Sequence, residues 1–226
     1  ACDKLRYEVL TNKKLSQSTD GEYKVNIHID KKSKTLTISD NGIGMSHDEL
    51  NELLGTIARS GTKAFSDRLT GNKAEDVSLI GQFGVGFYSA FMVSDLVEVV
   101  TRRAGDDKAW KWQSDGRGSY TIEDSDREHC GTDVILHVTK EDKEYVEKVR
   151  ITNIVKMYSD HIAVPIFLIE GDGEPESLTS ASALWTRDKK DITEDQYKEF
   201  YQHVGHAFDD PWMTIFNKVE GVLSYT

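Results

Sequence analysis

The chain is 226 residues long with 38% hydrophobic residues, enough to fill the core of one generous domain or of a domain and part of a second. Its 28 lysines and arginines stand against 39 aspartates and glutamates, and a formal net charge of -11 makes a nucleic-acid backbone a poor partner. The cysteines, Cys2 and Cys130, form no CxxC pair and no disulfide framework, so they read as small packed residues and supply no metal site. No apolar run approaches the roughly 20 residues that span a bilayer and no leader is visible, so a soluble protein with no membrane partner is expected.

Cys2, Leu5 and Val9 follow the i, i+3, i+7 rhythm of an amphipathic helix that begins without an initiating methionine or a capping residue, which reads as a truncated start. Tyr23, Val25, Ile27 and Ile29 alternate with Lys24, Asn26 and His28, the period of a half-buried strand. A polar turn over 30–34 leads back into a second alternating run over 35–39, and the pair predicts an antiparallel hairpin. Ser46 and Glu49 have the spacing of a capping box, and Leu50, Leu53, Leu54 and Ile57 give the following helix one apolar stripe. Gly55, Gly61, Gly71, Gly81, Gly84 and Gly86 make 55–86 the stretch with most backbone freedom, the pattern of a lid. Further strands are expected over 96–101, 109–113, 119–122 and 132–138, then a helix over 142–158 that turns Tyr145, Val149 and Val155 inward.

After Phe167, Leu168 and Ile169 the composition becomes glycine-, glutamate- and serine-rich, the signature of a linker. Thr193 and Gln196 form a second capping box ahead of Tyr197, Phe200, Tyr201 and Val204 at helical spacing. The chain therefore divides into a first domain over 1–171, a linker over 172–183 and the beginning of a second unit over 184–226. The apolar run of Val219, Val222 and Leu223 stops at Thr226 with no partner segment after it, which reads as a missing continuation.

Two glycine segments carry the chemistry, Asp40-Asn41-Gly42-Ile43-Gly44-Met45 and Gly81-Gln82-Phe83-Gly84-Val85-Gly86-Phe87. Neither has the G-x-G-x-x-G order of a dinucleotide fingerprint. The stretch from Gly55 to Lys63 misses the Walker A spacing, because Lys63 follows Thr62 and not Gly61. Asn41-Gly42 alone would suit a simple hairpin turn. Asp40, however, ends a strand, where its carboxylate can be held at a pocket floor and accept a hydrogen bond from an exocyclic amine. Adenine carries such an amine, and guanine has a carbonyl in its place. Gly42 and Gly44 would let the backbone approach a flat ring. Gly84, Val85 and Gly86 precede the apolar Phe87, Tyr88, Phe91 and Met92, and free N–H groups at the start of a helix there suit a phosphate. Gly131-Thr132 opens the last of the strands, with a hydroxyl suited to a base or a bridging water. Lys4 and Arg59 are candidate phosphate partners.

Taken in order, Asp-x-Gly-x-Gly, Gly-x-x-Gly-x-Gly and Gly-Thr resemble the split nucleotide site shared by gyrase, histidine-kinase, mismatch-repair and heat shock protein 90 ATPases. The longer stretches over 40–45, 55–63 and 80–90, with Leu184-Trp185-Thr186-Arg187 further on, look like the heat shock protein 90 family in its bacterial or organellar form. The resemblance implies an α/β (α+β) two-layer sandwich, a largely antiparallel mixed sheet with helices on one face and ATP or ADP held between them. It assigns the adenine amine to Asp40, base contacts through solvent to Gly44 and Thr132, and the pocket wall to Met45 and Leu54. Arg59 would lie beside the nucleotide, Gly84, Val85, Gly86 and Phe87 would meet the phosphates, and 55–86 would be the lid.

The family's water-activating glutamate and its Mg2+-binding asparagine fall upstream of Ala1, and its middle-domain arginine falls beyond Thr226. No catalytic or metal-binding residue is therefore assigned within the chain, which is expected to bind weakly and turn over negligibly. Leu53 stands where many relatives carry an asparagine near the ribose. The parent is read as an ATP-dependent molecular chaperone, a homodimer acting on client proteins with co-chaperones, in the cytoplasm or in a mitochondrion or other organelle. The rival readings are a histidine-kinase-type ATP-binding domain, which the segment from Trp185 to Val204 disfavours, and a nucleotide-free interaction module whose glycines are only hinges.

Overall fold

Alternation of apolar and polar residues governs the centre of the molecule, in a computed structural model that describes residues 1–12, 15, 21–55, 85–160, 162–179, 189–205 and 207–217. The expected hairpin forms as β1 (Val25–Asp30) and β2 (Thr35–Asp40), paired antiparallel with Ile27 opposite Ile38. The other strands are β3 (Ser94–Arg102), β4 (Ala109–Ser114), β5 (Thr121–Ser125), β6 (Gly131–Val138), β7 (Ile166–Glu170) and β8 (Glu176–Ser177). They form one eight-stranded sheet in the order β5-β4-β3-β6-β2-β1-β7-β8. Neighbours run antiparallel except β1 and β7, which are parallel. This is the mixed, largely antiparallel sheet that the resemblance implies.

One face of that sheet is dry. On β3 the residues Val97, Val99 and Thr101 are buried, while Glu98 between them faces the other way and bonds Lys111 and, at 3.1 Å, His137. Helices α1 (Cys2–Thr11), α2 (His47–Leu53) and α3 (Lys148–Ser159) bring the covering layer. Ile151 and Val155 of α3, four apart and so on one helix face, join Ile27, Ile29, Leu36, Leu136 and Leu168 in one cluster. Leu50 of α2 joins Val97, Val99 and Trp112 in a second. Leu5 of α1 joins Ile43, Ala104 and Cys130 in a third. Both cysteines are buried free thiols, and burial is the main cause that pushes Cys2 up to about 11.

Two expectations change. The helix over 142–158 is two pieces, a 3-10 turn at Lys143–Val146 and then α3, because Glu147 between them is extended. Measured from Ile151, Val149 lies two residues and about 200° around the helix, so it points to solvent with 72% exposure and not inward. The glycine-rich segment after β7 does not simply run off as a linker. It turns tightly, with the Gly173 amide donating to the Glu170 carbonyl, and returns as the short β8, after which Leu178 and Thr179 are buried. Beyond it, helix α4 (Glu194–Gly205) begins at the expected capping box, with the Gln196 amide donating to Thr193 Oγ1 at 3.3 Å and the Thr193 amide to Gln196 Oε1 at 3.1 Å. Among the described residues, no helix is long and apolar enough to cross a membrane.

Candidate nucleotide site

Strand register builds the site. Asp40, the last residue of β2, lies opposite Thr132 of β6, and Thr132 lies opposite Thr101 of β3. Directly opposed residues on neighbouring strands share a face, so these side chains form a polar row at one end of the otherwise apolar core face. Thr101 is 0% exposed and Thr132 is 7% exposed. Asp40 as a residue is half-buried, but burial of its carboxyl is the largest influence on its titration and pushes it above its ordinary value. The Gly42 amide and the Arg127 guanidinium pull in the opposite direction without cancelling that push.

The bend after Asp40 is no hairpin turn. Gly42 N–H donates to Asp40 Oδ1 at 2.8 Å, while Asn41 Oδ1 accepts the Lys24 amide at 2.8 Å and Asn41 Nδ2 donates to the Glu22 carbonyl at 2.9 Å. The glycines have a structural use that differs from the expected approach to a ring. A Cβ on Gly42 would lie 2.6 Å from the Ala1 carbonyl carbon, and one on Gly44, where φ is +66°, would lie 1.9 Å from the Arg102 carbonyl oxygen. Gly131, with φ +122°, would meet the Asp40 carbonyl oxygen at 2.1 Å. Three glycines thus allow α1, the end of β3 and the start of β6 to close around Asp40.

The second core cluster lies along the same face of β3 as Thr101. Met45, Leu54, Phe87 and Val134 are half-buried and pack against Leu50, Val97, Val99 and Trp112, with the Phe87 ring edge-on to Trp112 at 5.7 Å. The structure places Asp40 beside Thr132 at one end of the sheet, Gly44 against Arg102 and the Met45 amide on Thr101, while Leu54 and Phe87 lie in the cluster around Trp112. Val85 is exposed, and a Cβ at Gly86 would meet open space. The helix that follows, Gly86–Met92, is a seven-residue 3-10 helix and not an α-helix, so its hydrogen-bond geometry is poorer than an α-helix's. Arg59, Gly84 and the lid interior over 56–84 lie outside the described residues, as does the stretch 184–187.

Several residues that matter here were not singled out from the sequence. Arg103 donates to both oxygens of Glu49, at 2.6 and 2.7 Å, and to Glu8 at 3.4 Å. Lys4, a candidate phosphate partner, instead pairs with Glu49 at 3.4 Å. Burial alone would push Glu49 up, but the Ser46 amide, Arg103 and Lys4 outweigh it and hold the carboxyl below its ordinary value. Arg127 pairs with Asp133 and reaches the Asp40 carbonyl at 3.4 Å. Thr101 had a legible signal, a hydroxyl on the buried phase of a strand that otherwise places Val97 and Val99 there.

The class to which this sheet belongs is given by comparison with known families. Residues 7–141 match the family described as histidine kinase-, DNA gyrase B-, and HSP90-like ATPase, and the chain belongs to it. Residues 170–226 match the Hsp90 protein family. Among relatives, the chaperone protein HtpG of Roseobacter denitrificans is 54% identical over 226 residues, covering 100% of this chain and 35% of that protein. HtpG of Rhodospirillum rubrum is 52% identical over 229 residues, covering 100% of this chain and 36% of that protein. HtpG of Rickettsia rickettsii is 53% identical over 228 residues, covering 100% of this chain and 37% of that protein. The chain thus spans little more than a third of the length of these relatives.

Proposed function

We propose that these residues form the ATP- and ADP-binding region of an ATP-dependent molecular chaperone that assists the folding of client proteins. The observation that carries this reading is the Asp40 carboxylate, desolvated at the end of β2 beside Thr132, on a sheet whose second apolar cluster includes Met45, Leu54 and Phe87. Oxygen acceptors on one side and apolar surface on the other fit adenine, whose amine donates and whose ring faces are apolar. Gly44 and Thr132 are proposed to reach the base through water, Arg59 to lie beside the nucleotide, and Gly84, Val85, Gly86 and Phe87 to meet the phosphates beneath a lid over 55–86.

Among the described residues no group of three or more histidine, cysteine or acidic side chains could hold a metal ion. Mg2+ is proposed to ride on the phosphates and on an asparagine that the resemblance places upstream of Ala1. The same holds for the water-activating glutamate, so hydrolysis is assigned to a longer parent and this chain is proposed to bind nucleotide without appreciable turnover. In that parent, nucleotide-driven closure would bring two protomers together around clients, with co-chaperones as further partners, in the cytoplasm. The division into a first domain over 1–171, a linker over 172–183 and a second unit over 184–226 belongs to the same proposal.

Isothermal titration with ADP and GDP tests the reading. ADP should bind in preference to GDP, and Asp40→Asn should weaken ADP by roughly 10- to 100-fold, the worth of one hydrogen bond to a charged group. Unchanged ADP affinity in a folded Asp40→Asn protein would reject the assignment.

A further inference from the structure

Thr101 touches no part of the proposed ligand, yet its hydroxyl is saturated in a way that decides what Thr132 can offer. It donates to the Gly131 carbonyl at 2.9 Å, accepts the Met45 amide at 3.0 Å and lies 3.0 Å from Thr132 Oγ1. A hydroxyl has one proton and two lone pairs. With its proton on Gly131 and one lone pair on Met45, the remaining lone pair is left for Thr132, whose own proton must then point inward. The opposite polarity, Thr101 donating to Thr132, would strip the Gly131 carbonyl of this bond and leave two hydrogen bonds around Thr101 in place of three. In a wholly buried position that loss is not made up by water.

We infer that Thr101 is a positioning residue that turns the Thr132 hydroxyl into a pure acceptor toward the nucleotide site. The consequence for recognition rests on the adenine reading above. Asp40 and Thr132, opposed on adjacent strands, then present only lone pairs to the edge of the base. An amino group with two hydrogens, or a water donating from its side, satisfies such a pair. A water that donates to both acceptors has only lone pairs left for the base, so a 6-oxo purine meets lone pairs by either route and is rejected by a residue it never meets. Near this end of β6, Arg127 is paired to Asp133 and Arg102 is committed to the carbonyls of Asp106 and Glu128, so neither guanidinium is shown bonding a hydroxyl of the row.

The test compares wild type, Thr101→Val and Thr101→Ser in the 226-residue chain, with ADP and inosine diphosphate as probes. Valine keeps the shape and frees the Thr132 proton to donate to a 6-oxo group, so the preference for ADP over inosine diphosphate should narrow by about tenfold. Serine should restore it. An unchanged ratio in Thr101→Val, or serine behaving as valine does, would overturn the inference, since a merely structural role lowers both affinities together. A second readout needs no nucleotide. Proton NMR should show slowly exchanging hydroxyl protons on Thr101 and Thr132 in the wild type, with the Thr132 proton directed at Thr101; a Thr132 proton in fast exchange with water would overturn the polarity. Slow exchange in a wild type that binds no ADP would instead reject the nucleotide reading and leave the polarity standing.

Discussion

At the scale of single residues, the positions around Asp40 divide into those that face the proposed ligand and those that let the backbone arrive there. Gly44 belongs to the second kind. Its φ of +66° is unfavourable for a side chain, and any Cβ would enter the Arg102 carbonyl. Gly44→Ala should therefore lower folding stability by at least about 2 kcal/mol in urea unfolding. Gly86→Ala, where a Cβ meets open space, should change it by no more than about 0.5 kcal/mol. Equal effects at the two sites would show that close packing at Gly44 is not what selects glycine. Both glycines stand in motifs plain in the sequence, but the reason for Gly44 lies in Arg102 far along the chain, so that motif was legible and its physical cause was not.

At the scale of elements, α2 shows how a short helix is held at the site. Ser46 and Glu49 cap each other reciprocally, the Glu49 amide donating to Ser46 Oγ at 3.3 Å and the Ser46 amide to Glu49 Oε2 at 3.0 Å. Ser46→Ala should cost about 1 kcal/mol by denaturant unfolding. Glu49 also ties the helix to Arg103 at the end of β3 and to Lys4 on α1, and its carboxyl sits below the ordinary 4.5 in the fold. A carboxyl depressed on folding contributes stability that is complete above 4.5 and is lost as pH falls through the lower folded value. Glu49→Gln should therefore flatten the acid limb of a stability-against-pH curve. Asp40 acts in the opposite sense. Its raised value means that ionisation costs stability as pH rises from 3.8 upward. The capping box and apolar stripe of α2 were readable because they are local, whereas the split of the helix expected over 142–158 depends on the extended backbone at Glu147 and on which side chains the sheet accepts.

At the scale of the whole molecule, stability rests on one sheet face. Leu168 of β7, 2% exposed, packs in the cluster that joins α3 to β1, β2 and β6. Leu168→Ala should cost about 2–5 kcal/mol, read as a shifted unfolding midpoint with an unchanged denaturant slope. The polar row of Asp40, Thr132 and Thr101 sits at the end of the same face, so the layer that excludes water from the core also dries the site. Drying of that kind would sharpen the proposed discrimination by a single carboxylate, since hydrogen bonds strengthen as the surroundings become less polar.

Local pattern alone determined most of the strands, the capped helices at Ser46 and Thr193, and the motifs around Asp40, Gly86 and Thr132, because alternation, caps and glycine spacing act between residues a few positions apart. Tertiary structure decided the strand order, the parallel pairing of β1 with β7, the commitment of Lys4 and Arg103 to Glu49, and the place of Thr101 behind Thr132. Those outcomes depend on which strand lies beside which. Thr101 and Thr132 are distant in sequence and direct neighbours across the sheet, and only their pairing makes two hydroxyls into one directed hydrogen-bond network.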